Sequence, residues 1–222
     1  MKTIEMFDGE RATHYDTSIR KWFPNYDNLA ELLFPILKSR LSKDQSHRVL
    51  VVGSGTGNEL YSLASIKPTW ELVGVDPSAI MNQLAREKTK ELSNVKIVEG
   101  TVHEVDGNFD AATCILVTHF FDTNVKKAIF QKVFDLLEPG GTFILADITG
   151  SKKAFNENFE LYKGYQLLNI EDDTLEKGLH HIENELFYIS EEELTGLLKS
   201  VGFKKVNKFF QWLIFDAWVI EK

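Results

Sequence analysis

The chain has 222 residues, 43% hydrophobic and 26% charged, enough for one domain with a single large core and too apolar for a disordered chain. With 25 Lys and Arg against 33 Asp and Glu, the net charge of −8 disfavours a protein that binds nucleic acid by neutralising phosphates. Cys114 is the one cysteine, residues 1–16 lack the apolar core of a signal peptide, and no apolar run approaches the roughly 18 residues of a membrane span, so the expectation is a cytoplasmic monomer or homodimer with no membrane partner.

Residues 1–47 are helical in pattern and rich in aromatics, among them Tyr15, Trp22, Phe23 and Tyr26, and are expected to cap the fold. Arg48 to Val52 is a short β-branched run ending at Gly53, a buried strand. A helix from Asn58 to Ile66 stops before Pro68. Trp70 to Val75 is a second strand ending at Asp76-Pro77-Ser78, where Ser78 or Asp76 can cap a helix running to about Leu92. Val95 to Val98 and Ala111 to Val117 are further strands. Val125 to Leu137 is an amphipathic helix broken at Pro139-Gly140-Gly141, and Thr142 to Asp147 is the fifth strand. Residues 151–189 read as an irregular insert. Helix Glu191 to Ser200, capped by Ser190, leads through Gly202 to strands Phe203 to Phe210 and Trp212 to Ile220, joined too tightly for a crossover and so antiparallel. Strand–helix alternation with buried strands predicts an α/β fold with a parallel sheet. Residues 1–47 form a lid, 48–150 the core, 151–189 the insert and 190–222 the closing unit.

Val51-Val52-Gly53-Ser54-Gly55-Thr56-Gly57-Asn58 joins a strand to a helix through a glycine loop. Glycines let backbone approach a ligand closely, and the helix start offers unpaired N–H groups. Asp76, at the next strand end, is placed for a carboxylate that accepts ribose hydroxyls. The glycines are spaced G-x-G-x-G, with Asn58 where a dinucleotide site needs its third glycine.

That spacing resembles the first motif of the class I S-adenosylmethionine-dependent methyltransferases. Gly74 to Met81 looks like their second motif, Phe109-Asp110 like the start of their fourth, and Leu137-Glu138-Pro139-Gly140-Gly141 like the sequence before their fifth strand. The resemblance implies a Rossmann-like seven-stranded sheet, mostly parallel with an antiparallel terminal strand, helices on both faces and an N-terminal helical lid. It implies S-adenosyl-L-methionine as cofactor, with Gly53, Ser54, Gly55 and Gly57 under the methionine part. Asp76 and Pro77 would lie at the ribose, Met81 on the adenine face, Thr101 and Val102 at the adenine edge, and Cys114 and Ile115 near the amino-acid part. His119 would face the substrate. The family's usual acid two residues before the first glycine is Val51 here, with Glu59 a substitute nearby, and its frequent Asp at the adenine edge is Thr101.

Tyr15, in the stretch from Phe7 to Tyr26, lies in a segment that resembles the lid of a subgroup including small-molecule methyltransferases and wobble-uridine carboxymethyl-transfer enzymes, and can close on the cofactor. His119 can serve as a base or a substrate contact, or simply end its strand. His180-His181 is best read as a solvated face, since adjacent histidines share no face of a helix or strand and no metal-ligand cluster accompanies them. Cys114, inside an apolar strand, is a small hydrophobe rather than a nucleophile. The leading expectation is methyl transfer to a small molecule. An acid-rich insert, with four lysines against eight acids, would make that acceptor neutral or cationic. The alternatives are tRNA wobble-uridine modification with a carboxylated S-adenosylmethionine, a non-catalytic scaffold that binds the cofactor, and, more remotely, an NAD-dependent oxidoreductase. A carboxylated cofactor calls for a cation; the resemblance puts a key arginine late in the chain, but no arginine follows Arg86, leaving Lys163 or Arg20 as stand-ins.

Overall fold

The computed structural model describes residues 7, 9–42, 45–150, 152–170 and 174–222. Helices α1 (Glu10–Thr13), α2 (Tyr15–Trp22) and α3 (Tyr26–Arg40) precede β1 (Arg48–Val52). Then come α4 (Asn58–Ile66), β2 (Glu71–Asp76), α5 (Ala79–Thr89), β3 (Val95–Glu99), β4 (Phe109–Ile115), α6 (Thr123–Leu136) and β5 (Leu137–Ile148). Helices α7 (Lys152–Asn169), α8 (Thr174–Asn184) and α9 (Glu191–Val201) lead to β6 (Lys205–Trp212) and β7 (Phe215–Glu221).

The seven strands form one sheet in the order β3-β2-β1-β4-β5-β7-β6, and β7 alone runs antiparallel to its neighbours. This is the Rossmann-like methyltransferase arrangement that the motifs imply. Alternation along β1 shows why both faces need helices. Val49 and Val51 enter one core with Leu29, Leu33 and Leu37 of α3, while Leu50 and Val52 enter another with Ile129, Phe130 and Val133 of α6. After β3 the chain crosses to the far side of β1, so the strand order reverses between β1 and β4. Helices leave the sheet in opposite senses at such a point and open a crevice at the C-terminal strand ends.

Ser78 caps α5, accepting from the N–H of Met81 at 3.2 Å, and Ser190 forms a reciprocal capping box with Glu193. Four boundaries differ from the expected ones for physical reasons. Only α1 and α2 sit over the crevice; α3 is a layer of the core, its leucines four residues apart on one face. Within the 151–189 insert the described residues form helices α7 and α8 rather than irregular chain; in α7, Phe155, Phe159 and Tyr162 pack inward at helical spacing and Gln166 continues that buried face as a polar residue. Pro139-Gly140-Gly141 bulges within β5, between the pairs Phe109–Leu137 and Ala111–Thr142. The final reversal falls at Leu213-Ile214, where Leu213 takes φ of 53°.

Candidate functional site

The crevice is a cavity of about 640 Å³, within the roughly 300–1,000 Å³ of small-molecule sites. Its floor is the strand ends and its roof is Phe7, α1, α2 and part of α8. No helix among the described residues is long and apolar enough to cross a membrane, and the described residues hold no cluster of metal-ligating side chains.

The glycine loop is shaped by contacts from below. Gly53 has φ of 67°, and a Cβ there would lie 2.4 Å from Val117 Cγ2. Gly57 caps α4 with φ of 81° and packs on Ala85. Gly55 differs, because a Cβ there would meet nothing within 4 Å. It borders the cavity, so its bare backbone leaves room for a ligand.

Asp76 organises this end. Its Oδ2 accepts the N–H of Gly55 at 3.0 Å and its Oδ1 accepts the N–H of Ser78 at 2.9 Å. One carboxylate thereby fixes both the glycine loop and the start of α5 and still borders the cavity. A carboxylate accepts hydrogen bonds at both oxygens, the chemistry that a ligand's hydroxyls call for. Beside it, the cavity wall includes Pro77 and Met81 and, after β3, Thr101 and Val102. The Thr101 hydroxyl is bound to Glu104, donating at 2.6 Å. Sequence reasoning missed this carboxylate, which also accepts the Thr101 N–H at 2.6 Å.

On the other side of the switch point, Ile115 borders the cavity and Leu116 turns the chain with φ of 59°, its N–H given to Ala146 at 2.8 Å. A leucine in the left-handed region costs on the order of 1 kcal/mol, a strain that clusters at functional sites. Ser54, Gly57 and Cys114 do not line the cavity. Cys114 is fully buried in the α6-side core, and burial drives its thiol well above the ordinary range, in keeping with a small hydrophobe. Val51 is equally buried. Its register partner Thr113 donates to Glu59 Oε2 at 2.8 Å, so the Glu59 carboxyl lies on the same strand pair as Val51. Burial pushes that carboxyl up to about 7 despite the Thr113 bond.

The roof is tied down at three places. Ser78 donates to the Phe7 carbonyl at 2.8 Å. Asp16 accepts Thr56 Oγ1 at 2.6 Å, Asn58 Nδ2 at 2.8 Å and the Lys88 ammonium at 2.8 Å. The Trp22 carbonyl accepts Tyr162 Oη at 2.8 Å and Gln166 Nε2 at 3.0 Å. Tyr15 borders the cavity as expected, with its ring edge-on to Phe7 at 5.6 Å. Burial raises its hydroxyl well above the usual phenol range, reinforced by Tyr26 and nearby carboxylates, so it stays protonated.

At the far end His119, 6% exposed, follows β4 in a single 3-10 turn and borders the cavity. Its Nδ1 is paired with Asp147 Oδ1. The cations facing the cavity are not Arg20, which is clasped by Asp27 in two 2.8 Å bonds, or Lys163, which pairs with Glu160. Among the described residues they are Arg11 and Lys177. The side of α8 that lines the cavity is Thr174, Lys177, Gly178, His181 and Ile182. Among the described residues the acids of the insert therefore do not line the cavity. Residues 171–173, three of those acids, lie outside the described residues. His181, expected on a solvated face, lines the cavity and pairs with Glu185 at 2.7 Å, because α8 turns that side towards α2; His180 is exposed.

Residues 49–141 match a family model described as a methyltransferase domain. That span is similar to a methyltransferase domain, and the seven-stranded sheet has the Rossmann-like methyltransferase order. The domain is 28% identical over 97% of this chain to the carboxy-S-adenosyl-L-methionine synthase of Nautilia profundicola, spanning 94% of it. It is 28% identical to the synthase of that name from Helicobacter pylori strain HPAG1, over 97% of this chain and 93% of that one. Those relatives are named for making a carboxylated cofactor, not for using one. Among solved structures it superposes on the CurJ carbon methyltransferase with a TM-score of 0.68 at 16% identity, covering 96% of this chain and 59% of that one, a likeness of fold.

Proposed function

We propose that the domain binds S-adenosylmethionine along the C-terminal edge of the sheet and transfers its methyl group to a small molecule held in the rest of the same cavity. The observation that carries this reading is Asp76. Its carboxylate is locked by two backbone N–H groups next to a glycine with open space before it, which suits a ribose on one side and a tightly apposed polar chain on the other. In this reading Asp76 receives the ribose hydroxyls, Met81 packs on the adenine, and Thr101 and Val102 meet its edge. The backbone from Gly53 to Gly55 and at Ile115 borders the methionine part, and Tyr15 closes over it. Ser54, Gly57 and Cys114 support these from behind. The sulfonium supplies an already activated methyl carbon, so the protein's task is to orient the two reactants and exclude water. Leu186, Phe215, Phe120 and Phe121 line the cavity together with His119, a predominantly apolar surround for an acceptor.

The similarity to carboxy-S-adenosyl-L-methionine synthases over nearly the whole chain favours a second reading, in which S-adenosylmethionine is itself the molecule modified. Arg11 and Lys177 on the cavity wall are cations that would suit an added carboxylate. Mass spectrometry of the ligand co-purified from cells separates the two. S-adenosylhomocysteine, left when the methyl group departs, supports methyl transfer, a carboxylated sulfonium supports the second reading, and a domain that retains and binds neither of these nor S-adenosylmethionine contradicts both.

A further inference from the structure

We propose that Asn82 is a positioning residue for the ligand: it fixes the Asp76 backbone so that the Asp76 carboxylate meets the ribose at the required depth and angle. This rests on the reading above, in which the domain binds S-adenosylmethionine.

Asn82 lies on the stripe of α5 that turns to the sheet, ahead of Ala85 and Thr89, and is wholly buried. Such a stripe ordinarily carries apolar side chains, and a buried amide costs free energy unless its polar atoms are paired. Nδ2 is paired, donating to the Asp76 carbonyl at 2.8 Å. Oδ1 is buried with no partner among the described residues. Thr89, further along the stripe, differs, because its hydroxyl donates within the helix to the Ala85 carbonyl at 2.8 Å. Stability alone gives no reason to keep an amide buried and half unpaired. Polar exceptions of this kind concentrate at functional sites.

The bond that Asn82 does make goes to the residue that a ribose needs. Asp76 is thereby held at both ends. Its carboxylate is held by the N–H groups of Gly55 and Ser78. Its carbonyl accepts Asn82 Nδ2 and, at 3.0 Å, the N–H of Gly100. Pro77 follows, and a residue before proline is confined to extended backbone. Asn82 fixes what freedom remains, the plane of the Asp76–Pro77 peptide. Gly100 in turn opens the turn that carries Thr101 and Val102 to the cavity.

The same helix also bears on the glycine loop. A Cβ on Gly57 would lie 3.0 Å from Ala85 Cβ. Positions three apart are neighbours on one helix face, so α5 touches the loop through Ala85 and Asp76 through Asn82. Ser54, beside Gly55 in that loop, is the second buried group here whose side-chain oxygen has no partner among the described residues. Leucine has the branching and heavy-atom count of asparagine and brings no unpaired acceptor, while the Asp76 carbonyl would keep its bond from Gly100. If Asn82 served packing alone, that exchange would leave ligand binding untouched. A positioning asparagine loses ligand affinity and not stability.

The test is calorimetry on the intact protein with S-adenosylhomocysteine and with methylthioadenosine, which keeps the ribose and adenine and lacks the amino-acid part. N82L is expected to weaken both about tenfold, with a thermal midpoint no lower than the native one. In a D76A background, with no carboxylate left to position, N82L is expected to cost less than about twofold. N82A, free of steric demand, is expected to show the same loss of affinity at a lower midpoint, and carries the test if N82L does not fold. Native affinity in either variant overturns the proposal. So does a loss confined to S-adenosylhomocysteine, a loss undiminished in the D76A background, or a midpoint in N82L that falls as far as in N82A. A native protein that binds neither ligand fails earlier, on the reading beneath it.

Discussion

Asp16 and Lys88, 72 positions apart in sequence, meet at 2.8 Å across the glycine loop. Thr56 and Asn58 at the start of α4 bind the same Asp16 carboxylate, and Lys88 reaches from the last turn of α5. A single side chain of the lid thus fastens it to the loop on which the cofactor would rest.

Breaking this fastening should speed ligand exchange more than it unfolds the protein. D16A removes three hydrogen bonds to a carboxylate, one of them an ion pair, from a partly exposed site. A loss of about 1–2 kcal/mol from the closed state is expected, a factor of about 5–30. Stopped-flow displacement of S-adenosylhomocysteine should show that acceleration with little change in the thermal midpoint. Partial burial acts to raise the Asp16 carboxyl, but the bonds from Lys88, Thr56 and Asn58 bring it below its ordinary value. Its folded form therefore prefers the charged state, and its contribution is present above the ordinary carboxylate range of about 4 and fades as pH falls below it.

Gly178 and Trp22 form the seam between the insert and the lid. A Cβ on Gly178 would fall 2.0 Å from the Trp22 ring. In an unobstructed helix interior, Gly to Ala gains about 1 kcal/mol. Here G178A should gain nothing or lose stability while Trp22 is present, and recover that gain in a W22A background. Urea melts of the four proteins of the cycle measure it.

Glu59 carries the opposite pH signature from Asp16. With its carboxyl pushed up to about 7 by burial, the folded state holds a proton that the unfolded state releases near 4.3. Stability should therefore fall as pH rises between those values and level off above, by up to about 4 kcal/mol before allowance for partial exposure. E59Q, which keeps an acceptor for Thr113, should raise the thermal midpoint at about pH 8 and leave it nearly unchanged at about pH 5. A midpoint shift equal at both pH values would contradict the assignment.

The glycine spacing, Asp76 and the strand pattern were legible in sequence because each is local: a turn needing positive φ, an acid at a strand end, a run of β-branched residues. The strand order followed from the motifs taken together. What could not be read was which way a helix faces. The acids of the insert suggested an acidic wall, yet α8 turns Lys177, Gly178 and His181 to the cavity, a choice made by the Trp22 contact and not by composition. Likewise α3 has the aromatic content of a lid but the leucine spacing of a core helix, and its leucines decide its place. The pairing of His119 with Asp147 joins residues 28 apart, one in the turn after β4 and the other on neighbouring β5, and the parallel register brings them together.

The central claim is that Asp76 and the open glycine beside it hold S-adenosylmethionine, and calorimetry tests it most directly. The native protein should bind S-adenosylhomocysteine at one site. D76A should weaken that binding by about 3 kcal/mol, about a hundredfold, the worth of two charge-assisted hydrogen bonds. No heat from the native protein with either S-adenosylmethionine or S-adenosylhomocysteine, or equal affinity in D76A, would contradict the account.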